Sequence, residues 1–413
     1  MTYLVQPPPT LSVHGSIQLN GSKSISNRVL LINALCNNQI DIQNLSNADD
    51  TVVMQQLLQS NTKILDAGAG GTTFRFLTAY FATQKGREII LTGSERMQQR
   101  PIKILVDALR LLGADIEYVG QEHFPPLRIK GRQLKGGKIE LPASTSSQYI
   151  TALLLIAPVL EEGIQLKLTG TIVSLPYIKM TLKLMEYFGI ETKMDENVIT
   201  VFSGNYQPRP YFVEADWSAA SFFYEIAILS QEAEIELRGL TNQQIQGDAV
   251  IAKIGEDFGI HTQFNENSIR LIKTKTKLPD EMSINFLEFP DLAQTVLTFS
   301  AAIGTTIDCS GLQTLRIKET DRIAALNTEL SALKIGSLSE SNENKWVLKA
   351  FEKPPHHPQH PVFTYEDHRM AMAFAPLCLK TGSIKIEHPE VVSKSYPKYW
   401  DDLVSLGFVI KEI

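Results

Sequence analysis

The sequence predicts an α/β protein assembled from about six similar units in which helices cover small sheets. The first observation is a pair of segments, MEYFGIETKMDENVITV (185–201) and GEDFGIHTQFNENSIRL (255–271), which share Glu, Phe-Gly-Ile, Thr, Glu-Asn and Ile at matching places. They read as copies of one unit. The second is a set of looser copies starting at Leu109, Leu330 and Leu403, whose glycines, with those of the close pair, are Gly113, Gly189, Gly259, Gly336 and Gly407, spaced 76, 70, 77 and 71 residues apart. Each copy begins with apolar residues at helical spacing, stops at a glycine suited to a left-handed C-cap and continues in strand-like alternation. A period of about 70 residues is too long for a solenoid, so the copies are subdomains of helix, glycine, strand, turn and strand. The first of the six is the least distinct.

Composition narrows the function classes. A chain of 413 residues, 43% hydrophobic and 20% charged, can bury two or three ordinary cores. The formal charge of -6 argues against a polyanion-binding surface, so any positive site must be local. Cys36, Cys309 and Cys378 lie far apart, as expected of reduced thiols in a cytoplasm rather than of a disulfide framework or zinc knuckle. The opening MTYLVQPPPTL lacks a basic segment followed by an apolar core, and no apolar run is long enough to span a membrane. YITALLLIAPVL, broken by Thr151 and Pro158, reads as a buried helix. A composition shift over 203–220 marks a linker between two halves.

Several polar segments open helices. In GSKSISNRVLLINAL, Ser22 or Ser24 can cap a helix whose Ile25, Val29, Ile32 and Leu35 are apolar, with Ser24 and Arg28 on one face and Lys23 at the positive end of its dipole. Hydroxyls, backbone N–H groups and two cations at one helix start suit an anion, although an ordinary capped helix would use the same residues. DAGAGGTTFRFL offers glycines for close backbone approach, then Thr72, Thr73 and Arg75, without forming a Walker or dinucleotide motif. GSERMQQRPIKILVDAL places Arg96 and Arg100, of the kind usually solvated, before a helix near Pro101. Ser144, Ser146, Ser147 and Gln148 precede the apolar helix and can cap it or hold a phosphate. Lys318 and Arg322 lie one helical turn apart, with Glu319 beside them, either as an exposed ion-pair lattice or as a site. Asp367, His368 and Arg369 precede a helix whose Met370, Met372 and Phe374 are core residues, and Lys394 follows in VSKSYPKYW. Asp49 and Asp50 most simply cap a helix and complement its dipole. KPPHHPQHP, starting at Lys353, has prolines that deny its histidines a rigid metal-binding scaffold.

Together these segments resemble one family, the 3-phosphoshikimate 1-carboxyvinyltransferases or EPSP synthases. The matching signatures are Gly21-Ser-Lys-Ser-Ile-Ser-Asn-Arg28, Gly71-Thr-x-x-Arg75, Arg96-Met-x-x-Arg-Pro101, Ser146-Ser-Gln148, Ser174-x-Pro-Tyr177, Pro290-Asp291, Arg316-x-Lys-Glu-Thr-Asp-Arg322, Asp367-His-Arg-Met-Ala-Met372 and Lys394, in order along nearly the whole chain. The resemblance implies an enolpyruvyl-transferase fold of two domains, each of three βαβαββ units. Residues 1–20 plus 215–413 would form one domain and 21–214 the other, with the active site in a cleft that closes on substrate. The implied reaction moves the enolpyruvyl group of phosphoenolpyruvate to the 5-hydroxyl of shikimate 3-phosphate, in the shikimate pathway, without metal or organic cofactor. A monomer in the cytoplasm, without nucleic-acid or membrane partners, is expected.

Site residues carry over by the same resemblance. Asp291 and Glu319 would be the acid-base pair, with Lys23 and Lys394 assisting. Shikimate 3-phosphate would be held by Lys23, Ser24, Arg28, Ser146, Ser147, Gln148, Ser174, Tyr177, Asp291 and Lys318. Phosphoenolpyruvate would be held by Lys23, the Gly71 backbone, Arg96, Gln148, Arg322, Arg369 and Lys394. Two phosphates and two carboxylates bring about -5 to -6 of charge to the site. Lys23, Arg28, Arg75, Arg96, Lys318, Arg322, Arg369 and Lys394 can answer it.

The chain departs from the family at Ala69, Phe76, Thr314 and Leu175, where asparagine, proline, asparagine and lysine are common. These bear on affinity and on sensitivity to glyphosate. UDP-N-acetylglucosamine enolpyruvyl transferase shares fold and donor but typically carries a reactive loop cysteine, and none of the three cysteines here lies in such a motif. A non-catalytic anion-binding homologue is the alternative from a different class.

Overall fold

The computed structural model describes residues 1–143, 146–243, 245–351 and 354–413. Ser144 of the candidate phosphate segment and Lys353 of the histidine-proline segment lie outside them. Two compact units emerge, one of Met1–Asn20 with Glu214–Ile413, the other of Gly21–Val213.

In the discontinuous unit three sheets recur on one plan. Strand Glu281–Asn285 pairs in parallel with Thr306–Ser310, which pairs antiparallel with Lys345–Ala350, which in turn pairs antiparallel with Gly336–Asn342. Helices Ala293–Ile303 and Arg322–Ala332 make the crossovers, so the unit runs βαβαββ. Ser12–Gln18 opens a second copy by pairing in parallel with Glu232–Arg238, although the whole other unit intervenes in sequence. The third copy is closed by the N-terminus: Thr2–Gln6 lies antiparallel between Ile384–Glu387 and Val409–Glu412. One core, including Trp217, Phe222, Phe286, Leu297 and Met370, lies beneath these sheets.

The continuous unit has two full copies. Ile64–Asp66, Glu88–Thr92, Leu127–Lys130 and Asp115–Tyr118 form one sheet in that spatial order. Gly137–Pro142, Ile164–Thr169, Val198–Val201 and Thr192–Asp195 form the other. Its remaining copy keeps two crossover helices, Lys23–Leu35 and Asp49–Gln59, but only a short parallel pair, Ile42–Gln43 with Tyr211–Phe212. That reduction explains why its sequence signal is weak.

The glycine rule holds at four of five positions. Gly113, Gly189, Gly259 and Gly407 adopt φ of 101°, 83°, 77° and 91° after their helices. Gly336 does not: it begins a strand, and Lys334, at φ 57°, takes the left-handed position. A Cβ on Gly336 would meet the Lys349 carbonyl at 3.0 Å and the Ala301 methyl at 3.2 Å. Close packing, not backbone handedness, uses that glycine.

Candidate active site

Within the continuous unit, helix starts gather the polar segments. Ser22 caps Lys23–Leu35, its hydroxyl accepting from Ile25 N at 3.5 Å, and Ser146 caps Ser147–Ile156, accepting from Gln148 N at 3.3 Å. Gly71 starts the helix Gly71–Thr83 and Ser174, in the left-handed conformation, precedes Leu175–Tyr187. Side chains tie these starts together. Gln148 Nε2 donates to Thr72 Oγ1 at 3.1 Å, and Arg75 lies over the Tyr149 ring with its carbon 5.2 Å from the centroid. Arg28 is 3% exposed and donates to Thr181 Oγ1 at 2.9 Å, the Ser24 carbonyl at 2.8 Å and the Tyr177 carbonyl at 3.3 Å. Burial pulls its pKa down to about 10, so it remains charged near neutrality.

Phe76, the departure from proline, is fully buried with its ring centroid 5.7 Å from the Arg28 guanidinium carbon. The ring thus offers a cation–π face that proline would lack. Thr314 is less well accommodated: its Oγ1 is buried without a partner among the described residues.

Two expectations need correction here. Asp49 and Asp50 do not cap their helix, because Ala48 occupies the N-cap, but they form its first turn and complement its dipole as expected. Asp50, 6% exposed, instead accepts from Lys23 Nζ at 3.0 Å and fixes that ammonium at the start of the neighbouring helix. Arg100 is not solvated but 7% exposed, and a Cβ on Gly71 would come within 2.7 Å of both Arg100 Nη1 and Arg75 Nη1. Two guanidinium groups therefore flank a glycine backbone. Arg96 sits on the short helix Glu95–Gln98, tied to the glycine loop by Ser94 N donating to the Gly68 carbonyl at 2.9 Å.

Asp50→Asn should lower kcat/KM about tenfold with little change in unfolding midpoint, since it removes the negative charge beside the Lys23 ammonium without emptying a core. Steady-state kinetics and thermal melts would check this.

In the discontinuous unit the charged residues form one network. Arg322, 2% exposed, begins the helix Arg322–Ala332. Lys318 precedes that helix as the cap of the turn Gln313–Ile317, so the expectation of one helix carrying both cations is wrong. Arg322 donates to Asp367 Oδ2 at 2.6 Å, Glu319 Oε2 at 2.9 Å and Asp291 Oδ1 at 3.2 Å. Burial opposes its charge, but Asp367, Glu319 and Asp291 outweigh that and hold it firmly ionised. Lys394 Nζ lies 3.0 Å from Glu319 Oε1. Asp291 is also 3.2 Å from Arg369 Nη2 and 3.8 Å from Lys318 Nζ, and its carbonyl accepts from Arg369 Nη1 at 3.0 Å.

Asp367 serves two purposes. It is fully buried, caps His368–Phe374 by accepting from Arg369 N at 2.9 Å, and holds Arg322. The network therefore brings Asp291, Lys318, Glu319, Arg322, Arg369 and Lys394 together within one unit. Asp291, Glu319, Lys394 and Lys318 keep 11–25% of their side chains exposed, so they can reach a ligand. Among the described residues no group of three or more His, Cys, Asp or Glu is arranged to hold a metal, and no helix is long and apolar enough to cross a membrane. The three cysteines are buried and unpaired.

The sequence model of the family described as EPSP synthase (3-phosphoshikimate 1-carboxyvinyltransferase) matches residues 8–60 and 54–403. The chain belongs to this family. A 3-phosphoshikimate 1-carboxyvinyltransferase of Bacteroides fragilis is 48% identical over 413 residues, covering 100% of this chain and 99% of its own. One from Vibrio cholerae is 34% identical over 431 residues, covering 97% and 98%. An EPSP synthase structure from Acinetobacter baumannii superposes with a TM-score of 0.79 over 100% of both chains at 20% identity, which bears on the fold alone. The two-domain enolpyruvyl-transferase fold is thereby established for this chain.

Proposed function

We propose that the protein transfers the enolpyruvyl group of phosphoenolpyruvate to the 5-hydroxyl of shikimate 3-phosphate, releasing inorganic phosphate. The observation that carries this reading is the pair of partly exposed carboxylates, Asp291 and Glu319, each held between cations in a network centred on Arg322. The reaction needs two proton carriers and several cations at once, because its substrates are both doubly anionic groups joined to carboxylates.

The neighbours of each carboxylate suggest its task. Asp291 lies between Lys318, assigned to shikimate 3-phosphate, and Arg369, assigned to phosphoenolpyruvate. It is thus suited to take the proton of the attacking 5-hydroxyl. Glu319 lies between Arg322 and Lys394, both assigned to the donor. Exclusion of water around the bound donor would let it carry a proton despite those cations, and it is then suited, with Lys394, to protonate the donor's methylene carbon. The hydroxyl oxygen then bonds the central carbon and gives a tetrahedral ketal. A methyl proton then returns to Glu319 as the carbon–oxygen bond to phosphate breaks, and the departing phosphate leaves with the proton held by Asp291, which regenerates the double bond and both groups. In the other unit, Lys23, Ser24, Arg28, Ser146, Ser147, Ser174 and Tyr177 are assigned to shikimate 3-phosphate, and Lys23, the Gly71 backbone, Arg96 and Gln148 to the donor, with Gln148 shared between the substrates. Arginine forks suit the donor's phosphate and carboxylate. The expected setting is a monomer in the cytoplasm.

Phosphate release from phosphoenolpyruvate tests the reading. Turnover is expected with shikimate 3-phosphate and none with UDP-N-acetylglucosamine. Release with the second acceptor only would identify the sister enzyme, and release with neither would leave an anion-binding homologue.

A further inference from the structure

A buried carboxyl group outside the reaction scheme shares a helix with Arg322. Glu329 lies about two turns further along Arg322–Ala332, on the same face. It is fully buried, and a carboxyl group there must find hydrogen-bond partners. Both partners come from one segment: Tyr365 donates its hydroxyl to Glu329 Oε1 at 2.7 Å, and His360 Nε2 lies 3.1 Å from Glu329 Oε2. Two residues beyond Tyr365, Asp367 accepts from Arg322 Nε. The segment 360–367 is therefore tied to one helix at two levels, by Glu329 and by Arg322.

Between those ties the backbone is strained. Asp367 N donates to the Thr364 carbonyl at 2.8 Å, closing a turn whose central residues, Tyr365 and Glu366, have φ of 54° and 56°. Two successive left-handed residues are the φ pattern of a type I′ turn, which favours glycine and asparagine, whereas tyrosine and glutamate resist it. Burial of the two central side chains does not offset this, because both are exposed. The flanks are fixed by other means: Val362 N donates to the Lys385 carbonyl at 2.8 Å, and Asp367 caps His368–Phe374. The strained turn itself is held to the helix where the Tyr365 hydroxyl meets Glu329.

We propose that Glu329 is a positioning residue for the donor site: through Tyr365 it keeps the turn 364–367 closed and so sets Asp367 where it orients the Arg322 guanidinium for phosphoenolpyruvate. This rests on the assignment of Arg322 to the donor. Asp367 meets Arg322 Nε at 2.6 Å and Nη2 at 3.3 Å, a fork contact that fixes the plane of the guanidinium. A relaxed turn would carry the carboxylate out of that plane, and the remaining N–H groups would turn away from the donor. A misplacement of about 1 Å can lower activity by about 10²-fold. Glu329 takes no part in bond making.

Tyr365→Phe removes the tethering hydroxyl alone. KM for phosphoenolpyruvate should rise about five- to tenfold, while KM for shikimate 3-phosphate changes by less than about twofold. KM does not depend on what fraction of a preparation is folded, so a purely structural role would lower the melting midpoint and leave both values where they were. A second variant tests the strain directly. Glu366→Gly supplies the residue that the second central position of a type I′ turn prefers, so the turn should close without its tether. Added to Tyr365→Phe, it should return the donor KM to within about twofold of wild type.

A donor KM unchanged in Tyr365→Phe would overturn the proposal, as would failure of Glu366→Gly to restore it. The assignments beneath it fail in a different way. Donor KM unchanged in Arg322→Lys would remove Arg322 from the donor site and the proposal with it. Absence of wild-type turnover with shikimate 3-phosphate would overturn the reaction itself, whatever the variants do.

Discussion

Glu319→Gln and Asp291→Asn should each lower kcat by about 10²–10⁴-fold while changing KM for either substrate by about threefold or less. Both substitutions keep the shape of the side chain and remove its ability to carry a proton. The contacts define what else would be lost: Glu319 gives up its charge between Arg322 Nη2 at 2.9 Å and Lys394 Nζ at 3.0 Å, and Asp291 between Arg322 Nη1 and Arg369 Nη2, both at 3.2 Å. A purely structural role would appear as a lowered unfolding midpoint or weakened binding, with kcat falling in proportion to folded protein. Pre-steady-state turnover normalised to active sites separates the cases. Turnover close to wild type in either variant would remove that carboxylate from the chemistry.

Fold class was legible because the repeated unit writes its helix ends into the sequence. Gly113, Gly189, Gly259 and Gly407 occupy a conformation that most side chains resist, so chemistry at one atom marks an architectural boundary. The signal failed at Gly336, where Lys334 tolerates the left-handed turn, and faded in the first copy, where the strands are reduced to a two-residue pair. In the candidate site, charged residues in the motifs were visible individually, but their partners were not. Nothing local in the sequence joins Arg322 to Asp367, 45 residues later, or Lys23 to Asp50. Asp50 is the helix-start acid its position suggests, but its partner Lys23 is invisible in the sequence, and Arg100, an arginine of the kind usually solvated, is buried.

Arg322→Ala should destabilise the protein by about 3–5 kcal/mol and abolish measurable turnover, because removal of one partner from a buried ionic network leaves the others uncompensated. Asp367 is the reason for so large an effect: it is fully buried, while Asp291 and Glu319 retain some solvent. Arg322→Lys should recover only part of the loss. A lysine ammonium lacks the planar fork that meets Asp367 through Nε at 2.6 Å and Nη2 at 3.3 Å while reaching Glu319 and Asp291 as well. Stability and activity should then separate in the double variant Arg322→Met with Asp367→Asn. Neutralising both removes the uncompensated charge, and an asparagine can still cap His368–Phe374 by accepting from Arg369 N. Urea unfolding should show the double variant more stable than Arg322→Ala, with both inactive. If the two unfold at the same midpoint, the stability loss comes from packing rather than from buried charge. If the double variant turns over substrate, the guanidinium is dispensable for donor binding, since methionine supplies volume but no positive group.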